Sequence, residues 1–364
     1  MSIVPTQYAR LLDELIARGV AFACYFLPFS TEPTLIVEDS APIELGSFSD
    51  LDGEDGFVFA PFILSSEKPL LLFKSKSIYC GFVDKISKPT GGVVSNGNSS
   101  DHSTTSEIYN ATFSRFMEQL KGGRFSKLVL SRKLVVDRHA KSIGKVFLNA
   151  KDAYLSAFTY LVNAPKSGLW LGATPELLLK GDAGCFQTMA LAGTMPVSEG
   201  VSEYTWSAKD REEQQIVTDY ISDRLTSCGV VEMEKEGPAT AKAGNVVHLK
   251  TTFRFTADGN VGVGTLVDTL HPTPAVCGLP KEEAQQYITE TEQHHREYYT
   301  GFAGVVRSNK ETELYVNLRC MKVEAQQFSL FAGGGITAKS VGEREWMETN
   351  HKLRTLQSII EADD

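Results

Sequence analysis

The 364-residue sequence predicts an α+β fold. Three observations carry this. Runs with the two-residue strand period occur along the chain, and long stretches with the helical period accompany them. No repeat at solenoid or propeller periods organises either kind. Hydrophobic residues make up 42% and aromatics 10%, enough to bury a core and to exclude wholesale disorder. Two domains is the expectation from length alone.

Taken in order, the first hundred residues carry short β-like runs, FVFAPFIL at 57–64 and KPLLLF at 68–73, and little readable chemistry. Thr90 to Ser106, TGGVVSNGNSSDHSTTS, reads as a mobile Gly/Ser-rich loop that divides this part from the rest. Glu107 to Leu120 places Ile108, Phe113, Phe116, Met117 and Leu120 at helical spacing and stops at Gly122–Gly123. Lys127 to Val136 is a strand, with Leu128, Leu130, Leu134 and Val136 on one face and Lys127, Val129, Ser131 and Lys133 on the other. Gly168 to Gly172 is a second strand, running into a turn at Thr174–Pro175. Leu314 to Val323 and Gln327 to Ala332 read as a hairpin. Long helices are expected near 205–227, 281–300 and 343–362.

Charge and cysteine content exclude several functions. The net charge is −9, so there is no global basic footprint for nucleic acid. No long uncharged apolar run suits a membrane helix, and the first residues lack the pattern of a secretory signal. The six cysteines are scattered without a CxxC pair, which suits reduced thiols in a cytoplasmic protein.

Two acidic pairs stand out. Asp210 and Glu213 lie three apart, and their stripe continues through Val217, Tyr220, Ile221 and Arg224. Glu345 and Glu348 repeat the spacing, and that stripe runs on through Lys352, Leu356 and Ile359. Both pairs extend a stripe that faces the interior. Buried carboxylates are costly unless paired or metal-bound. Oxygen donors without a histidine pattern suit Mg²⁺ before Zn²⁺. The structural alternative is that these acids sit at solvated helix starts, favoured by the helix dipole.

Beyond these pairs the sequence resembles the chorismate-utilising enzymes, which comprise isochorismate, salicylate, anthranilate and aminodeoxychorismate synthases. Ten motifs carry the resemblance. They are KLVLSR at 127–132, LGATPELLL at 171–179, LAGT at 191–194, KDREEQQIV at 209–217 and HLKTTF at 248–253, followed by HPTPAVCG at 271–278, REYYTG at 296–301, LRC at 318–320, FAGGGI at 331–336 and EREWMETNHKL at 343–353. The match covers roughly residues 107–362, with 1–106 divergent. The resemblance implies one large domain over 1–364, two β-sheets in a sandwich surrounded by helices, in place of two domains.

It also implies a Mg²⁺-dependent displacement of the C4 hydroxyl of chorismate. Within the family, Lys127 matches the lysine that acts as base on water where ammonia-using members carry glutamine. Ala192 stands where aminodeoxychorismate synthases place a lysine nucleophile. Ala275 matches the alanine of isochorismate synthases, against threonine in salicylate synthases. The implied reaction is therefore isomerisation to isochorismate, feeding menaquinone or a siderophore, with menaquinone preferred on sequence style. The alternative is a salicylate synthase with added pyruvate-lyase activity.

The implied roles make Lys127 the general base and Glu176 the general acid, with a carboxyl pKa raised by burial. Glu213 and Glu348 match direct Mg²⁺ ligands, and Asp210 and Glu345 match positions that hold metal-bound waters. Arg319 and Lys352 match the local counter-charge for a dianionic substrate. Gly193, Thr194, Gly333 and Gly335 match backbone donors around its carboxylates, and His248, Ala275 and Tyr299 line the ring pocket. Taken singly, Lys127 reads as an exposed strand lysine, Glu176 as a first-turn glutamate after Pro175, and Lys352 as an i,i+4 partner of Glu348. His294–His295 reads as helix surface, and His271 as structural. The expected protein is a monomer that needs no amidotransferase subunit.

Overall fold

The computed structural model describes residues 5–74, 77–81, 102–139, 141–182, 184–197, 201, 203–243, 246–259, 261–308 and 311–362. Elements of the first half are α1 (Pro5–Ala17), β1 (Phe22–Phe26), β2 (Thr34–Val37), β3 (Ile43–Leu45), a 3₁₀ turn (Phe48–Leu51), β4 (Gly56–Ala60), β5 (Leu70–Phe73), β6 (Ser77–Cys80), α2 (Ser106–Lys121), β7 (Lys127–Asp137), α3 (Ile143–Ala153), β8 (Phe158–Ala164), β9 (Gly168–Thr174) and β10 (Leu177–Asp182). There follow β11 (Cys185–Pro196), α4 (Ala208–Ser227), β12 (Val230–Ala243), β13 (Val246–Ala257), α5 (Val263–Leu270), β14 (Gly278–Leu279), α6 (Lys281–Thr291), β15 (Phe302–Val306), β16 (Thr312–Val316), β17 (Cys320–Val323), β18 (Gln327–Ile336) and α7 (Gly342–Glu361). Of the segment expected to be a loop, residues 90–101 lie outside the described residues. Thr105 accepts from the Ile108 amide and caps α2.

The strands form two nine-stranded sheets, ordered β14-β7-β18-β17-β9-β8-β1-β2-β6 and β12-β13-β11-β10-β16-β15-β4-β5-β3. Both faces of each sheet are covered, so central strands are apolar throughout rather than alternating. In β1, Phe22, Cys24 and Phe26 pack outward with α1 and α3 residues, while Ala23 and Tyr25 pack inward. The layer between the sheets is aromatic: Phe57, Phe59 and Tyr315 of one sheet meet Phe158, Tyr160, Trp170 and Phe331 of the other. α4 and α5 cover the outer face of the second sheet, with Val217, Ile221, Leu266 and Leu270 in that core. The expected sandwich of two sheets surrounded by helices is thus the observed architecture. The divergent N-terminal residues supply three strands at one end of each sheet. The motif-bearing strands β7, β18, β11 and β13 lie towards the opposite end of each sheet.

Two expectations are corrected. The hairpin is β17 with β18, and residues 312–316 pair in the other sheet. The run breaks because Asn317 is held from several sides. Its amide nitrogen donates to the Tyr298 carbonyl at 2.8 Å, and its side-chain oxygen accepts from the Tyr160 hydroxyl at 2.6 Å. The chain then crosses between sheets through Arg319 at φ 46°. The helix expected over 281–300 ends at Thr291. Glu292 is drawn into tertiary hydrogen bonds, and Glu297 and Thr300 adopt φ of 50° and 62°, which no helix continues. His294 therefore is not on a helix surface; its ring is buried and bonds Ser131 Oγ at 3.0 Å. His271 is structural, edge-on to Phe48 and Phe302.

Phe59 stacks on Tyr298 at 4.5 Å in the inter-sheet layer. Phe59→Ala is expected to lower the unfolding free energy by about 3–5 kcal/mol in urea denaturation. A loss below about 1 kcal/mol would contradict this layer as the main core.

Candidate active site

The site lies where β18 carries the run Gly333–Gly335 past the first turns of α4 and α7. α4 starts at a capping box: Ser207 Oγ accepts from the Asp210 amide, and Asp210 Oδ2 accepts from the Ser207 amide at 3.2 Å and hydroxyl at 2.6 Å. Asp210 Oδ2 thus caps its own helix, while Oδ1 takes no part in the box. One turn on, Glu213 is buried against β18. A Cβ on Gly335 would stand 2.0 Å from Glu213 Oε1 and 2.7 Å from Lys127 Cε, so a side chain at this strand position would displace the ends of both groups. A Cβ on Gly334 would stand 3.6 Å from Glu345 Oε2 and from Glu348 Oε1. Three carboxylates thus converge on a strand that has no side chains there.

Lysines answer them. Lys127 Nζ lies 3.1 Å from Glu213 Oε1, and Lys352 Nζ lies 2.6 Å from Glu348 Oε1 and donates to the Gly333 carbonyl at 2.8 Å. Lys209 bridges Glu213 and Glu345 at 3.2 and 3.1 Å. Lys209 had no expected role, although its i,i+4 spacing to Glu213 was readable in KDREEQQIV. Lys127 is fully buried rather than exposed, and its amine makes no aligned hydrogen bond among the described residues.

A polar cavity opens beside this cluster. Glu176, Arg319, Lys352 and Tyr299 line it, with Gly193, Thr194, Gly333 and Gly335. His248, Ala275, Ala192, Glu213 and Glu348 complete the wall. Lys127, Asp210 and Glu345 are not on that wall. Asp210, Glu345 and Lys209 instead face an adjoining hollow, which shares Thr194 and Glu348 with the cavity. Among the described residues, no three acidic, histidine or cysteine side chains close into a chelating cluster.

Burial shifts the protonation of several groups. It lifts the Glu176 carboxyl to about 7, against the opposing pull of Lys127, Arg319 and Lys352. It pulls Lys127 below the ordinary lysine range, although Glu213 works the other way. Burial would raise Glu213 too, but Lys127 and Lys209 outweigh it and bring that carboxyl to about 2. Glu345 is raised, by burial first, against Lys209 and with Glu348 adding to the rise. His248 is brought down to about 3 by burial, then by Arg319 and Lys352. Its neutral ring donates from Nδ1 to the Gly193 carbonyl at 2.8 Å, which leaves Nε2 as an acceptor.

The family model described as chorismate binding enzyme matches residues 85–361, more than half of the chain. The chain belongs to the chorismate-binding enzyme family. Among curated relatives of this family, isochorismate synthase EntC of Escherichia coli K12 is 33% identical over 242 residues, 64% of this chain and 62% of the relative. The match thus spans less than two thirds of that relative. Isochorismate synthase MenF of Bacillus subtilis is 30% identical over 253 residues, 66% of this chain and 53% of the relative. The fold is shared with solved family structures. MenF of E. coli superposes with a TM-score of 0.77 at 20% identity, covering 95% of this chain and 90% of that one. Anthranilate synthase component I of Streptococcus pneumoniae gives 0.65 at 16%, covering 96% and 85%.

The raised carboxyl of Glu176 has a consequence for stability. Its folded pKa of about 7 exceeds the ordinary 4.5, so the folded state holds this proton more tightly. The contribution is fully present below pH 4.5 and is lost as pH rises through 7. Glu176→Gln is expected to gain stability relative to the parent across that window in denaturation series at stepped pH. A constant difference between the two proteins would contradict a raised carboxyl.

Proposed function

We propose that the chain is an isochorismate synthase, which adds water at C2 of chorismate and expels the C4 hydroxyl. One observation carries this: the cavity combines a buried carboxylic acid, Glu176, and two cations, Arg319 and Lys352, with only a methyl group at Ala192. Such a wall binds a dianion and donates a proton, but offers no amine nucleophile at 192. The isochorismate synthases among the curated relatives support the same reading.

In this reading Arg319 and Lys352 hold the two carboxylates of the substrate. Lys127 accepts a proton from water as its oxygen bonds to C2. The ring double bonds shift, and the C4–oxygen bond breaks as Glu176 protonates the departing hydroxyl. Solvent returns the proton to Glu176 and removes one from Lys127. Burial works towards the neutral form of both groups, lowering the Lys127 amine from its ordinary range and raising the Glu176 carboxyl to about 7. Water as nucleophile requires no amidotransferase subunit.

The carboxylates beside the cavity suit a hard divalent cation, and the Lys209 ammonium between Glu213 and Glu345 stands where positive charge is demanded. Glu213 and Glu348 would hold Mg²⁺ directly, with Glu345 and Asp210 as holders of its waters. Bound there, Mg²⁺ would neutralise the ring carboxylate of the substrate.

The protein with chorismate and Mg²⁺, without ammonia, is expected to yield isochorismate alone by chromatography with mass detection, and none after EDTA. Lys127→Gln is expected to lose at least about 100-fold in turnover. Salicylate with pyruvate above the uncatalysed background would overturn the reading of Ala275. Turnover only with ammonia would overturn that of Lys127.

A further inference from the structure

Arg296 carries a second, independent arrangement behind the cavity. It is 4% exposed, and all five of its N–H donors have partners. Nε donates to Glu292 Oε2 at 2.8 Å, and Nη2 donates to Glu292 Oε1 at 2.7 Å. Nη2 also donates to the Val129 carbonyl at 2.7 Å, and Nη1 to the Val276 carbonyl at 2.8 Å. The last donor reaches Thr300 Oγ1 at 3.4 Å. Glu292 Oε1 in turn accepts from the Ser131 amide at 2.7 Å. The guanidinium also lies over Phe62, 4.6 Å from the ring centre.

Val129, Val276 and Thr300 all line the cavity, yet they belong to three separate segments. Val129 sits two residues from Lys127 on β7, and Val276 follows Ala275. We infer that Arg296, clamped by Glu292, is a positioning residue that fixes β7 and its Lys127 against the Ala275 segment of the cavity wall. This rests on the isochorismate synthase reading. Arg296 does not itself line the cavity; it acts through the Val129 and Val276 carbonyls and the Thr300 hydroxyl. A lysine at 296 keeps the charge but cannot span three carbonyl and hydroxyl acceptors while bonding both carboxylate oxygens.

The test compares the parent with Arg296→Lys and with the isosteric Glu292→Gln. Folding is checked by circular dichroism and thermal unfolding, and Mg²⁺ binding by calorimetry. Expected for either variant, per folded molecule, is a kcat lower by about 100-fold with KM for chorismate within about threefold. Hydrogen exchange is expected to quicken at the Val129 and Ser131 amides, with Mg²⁺ affinity unchanged. A purely structural role would lower the folded fraction and leave kcat per folded molecule at the parent value, and that result overturns the proposal. So does failure of both variants to fold while the parent turns over. If the parent leaves chorismate unchanged, the isochorismate synthase reading fails; unaltered β7 exchange in the variants would separately defeat the positioning role.

Discussion

Three carboxylates placed against a strand without side chains set the terms for everything around them. Glu213 packs where a Cβ on Gly335 would stand 2.0 Å from its Oε1, and Glu345 and Glu348 come within 3.6 Å of a Cβ on Gly334. Buried negative charge must be answered nearby. The answers are Lys127, Lys209 and Lys352, drawn from a strand and both helices. The lysines that balance the acids lie close enough to depress Glu213 while burial still raises Glu176. One low-dielectric pocket therefore shifts two carboxyls in opposite directions. That separation is what acid–base chemistry near neutral pH requires.

The sandwich makes this affordable by rigidity. Strands β7, β18 and β17 come from one sheet and β11, β13 and β16 from the other, and the cavity lies where segments from both meet. Arg319 sits at the crossing between sheets in a left-handed backbone conformation, which a non-glycine residue adopts only when its neighbours compel it. Two residues earlier, Asn317 is tied to both Tyr160 and Tyr298. The Arg319 guanidinium, proposed to hold a substrate carboxylate, thus sits where the chain passes from one sheet to the other.

Much of this was legible in the sequence. The helical period placed Glu213 and Glu345 on buried faces, and the strand over 127–136 emerged within a residue of its observed end. The ordered motifs supplied the fold, and most residues they singled out share one cavity wall. What was not legible depended on distant partners. Asp210 shares the inward stripe of Glu213, yet its carboxylate turns back to cap its own helix. Lys127 reads alone as a solvated strand lysine, yet in the fold it is fully buried, with its amine 3.1 Å from Glu213 of α4. The run 314–323 alternates as one strand, and the break at 317 comes from bonds to residues more than a hundred positions away and to the 298 turn. Glu292 and Arg296 keep an i,i+4 spacing inside the helix expected over 281–300, though beyond its observed end at Thr291, so periodicity could not distinguish a surface pair from a buried clamp.

The central claim is that water, activated beside Glu213 by Lys127, attacks the ring while Glu176 releases the C4 oxygen. The most direct test is turnover in ¹⁸O-labelled water with mass analysis of the product. The account predicts one labelled oxygen, located in the C2 hydroxyl, in isochorismate formed from unlabelled chorismate. Unlabelled isochorismate would mean that the original hydroxyl migrated without solvent water, and would contradict the mechanism.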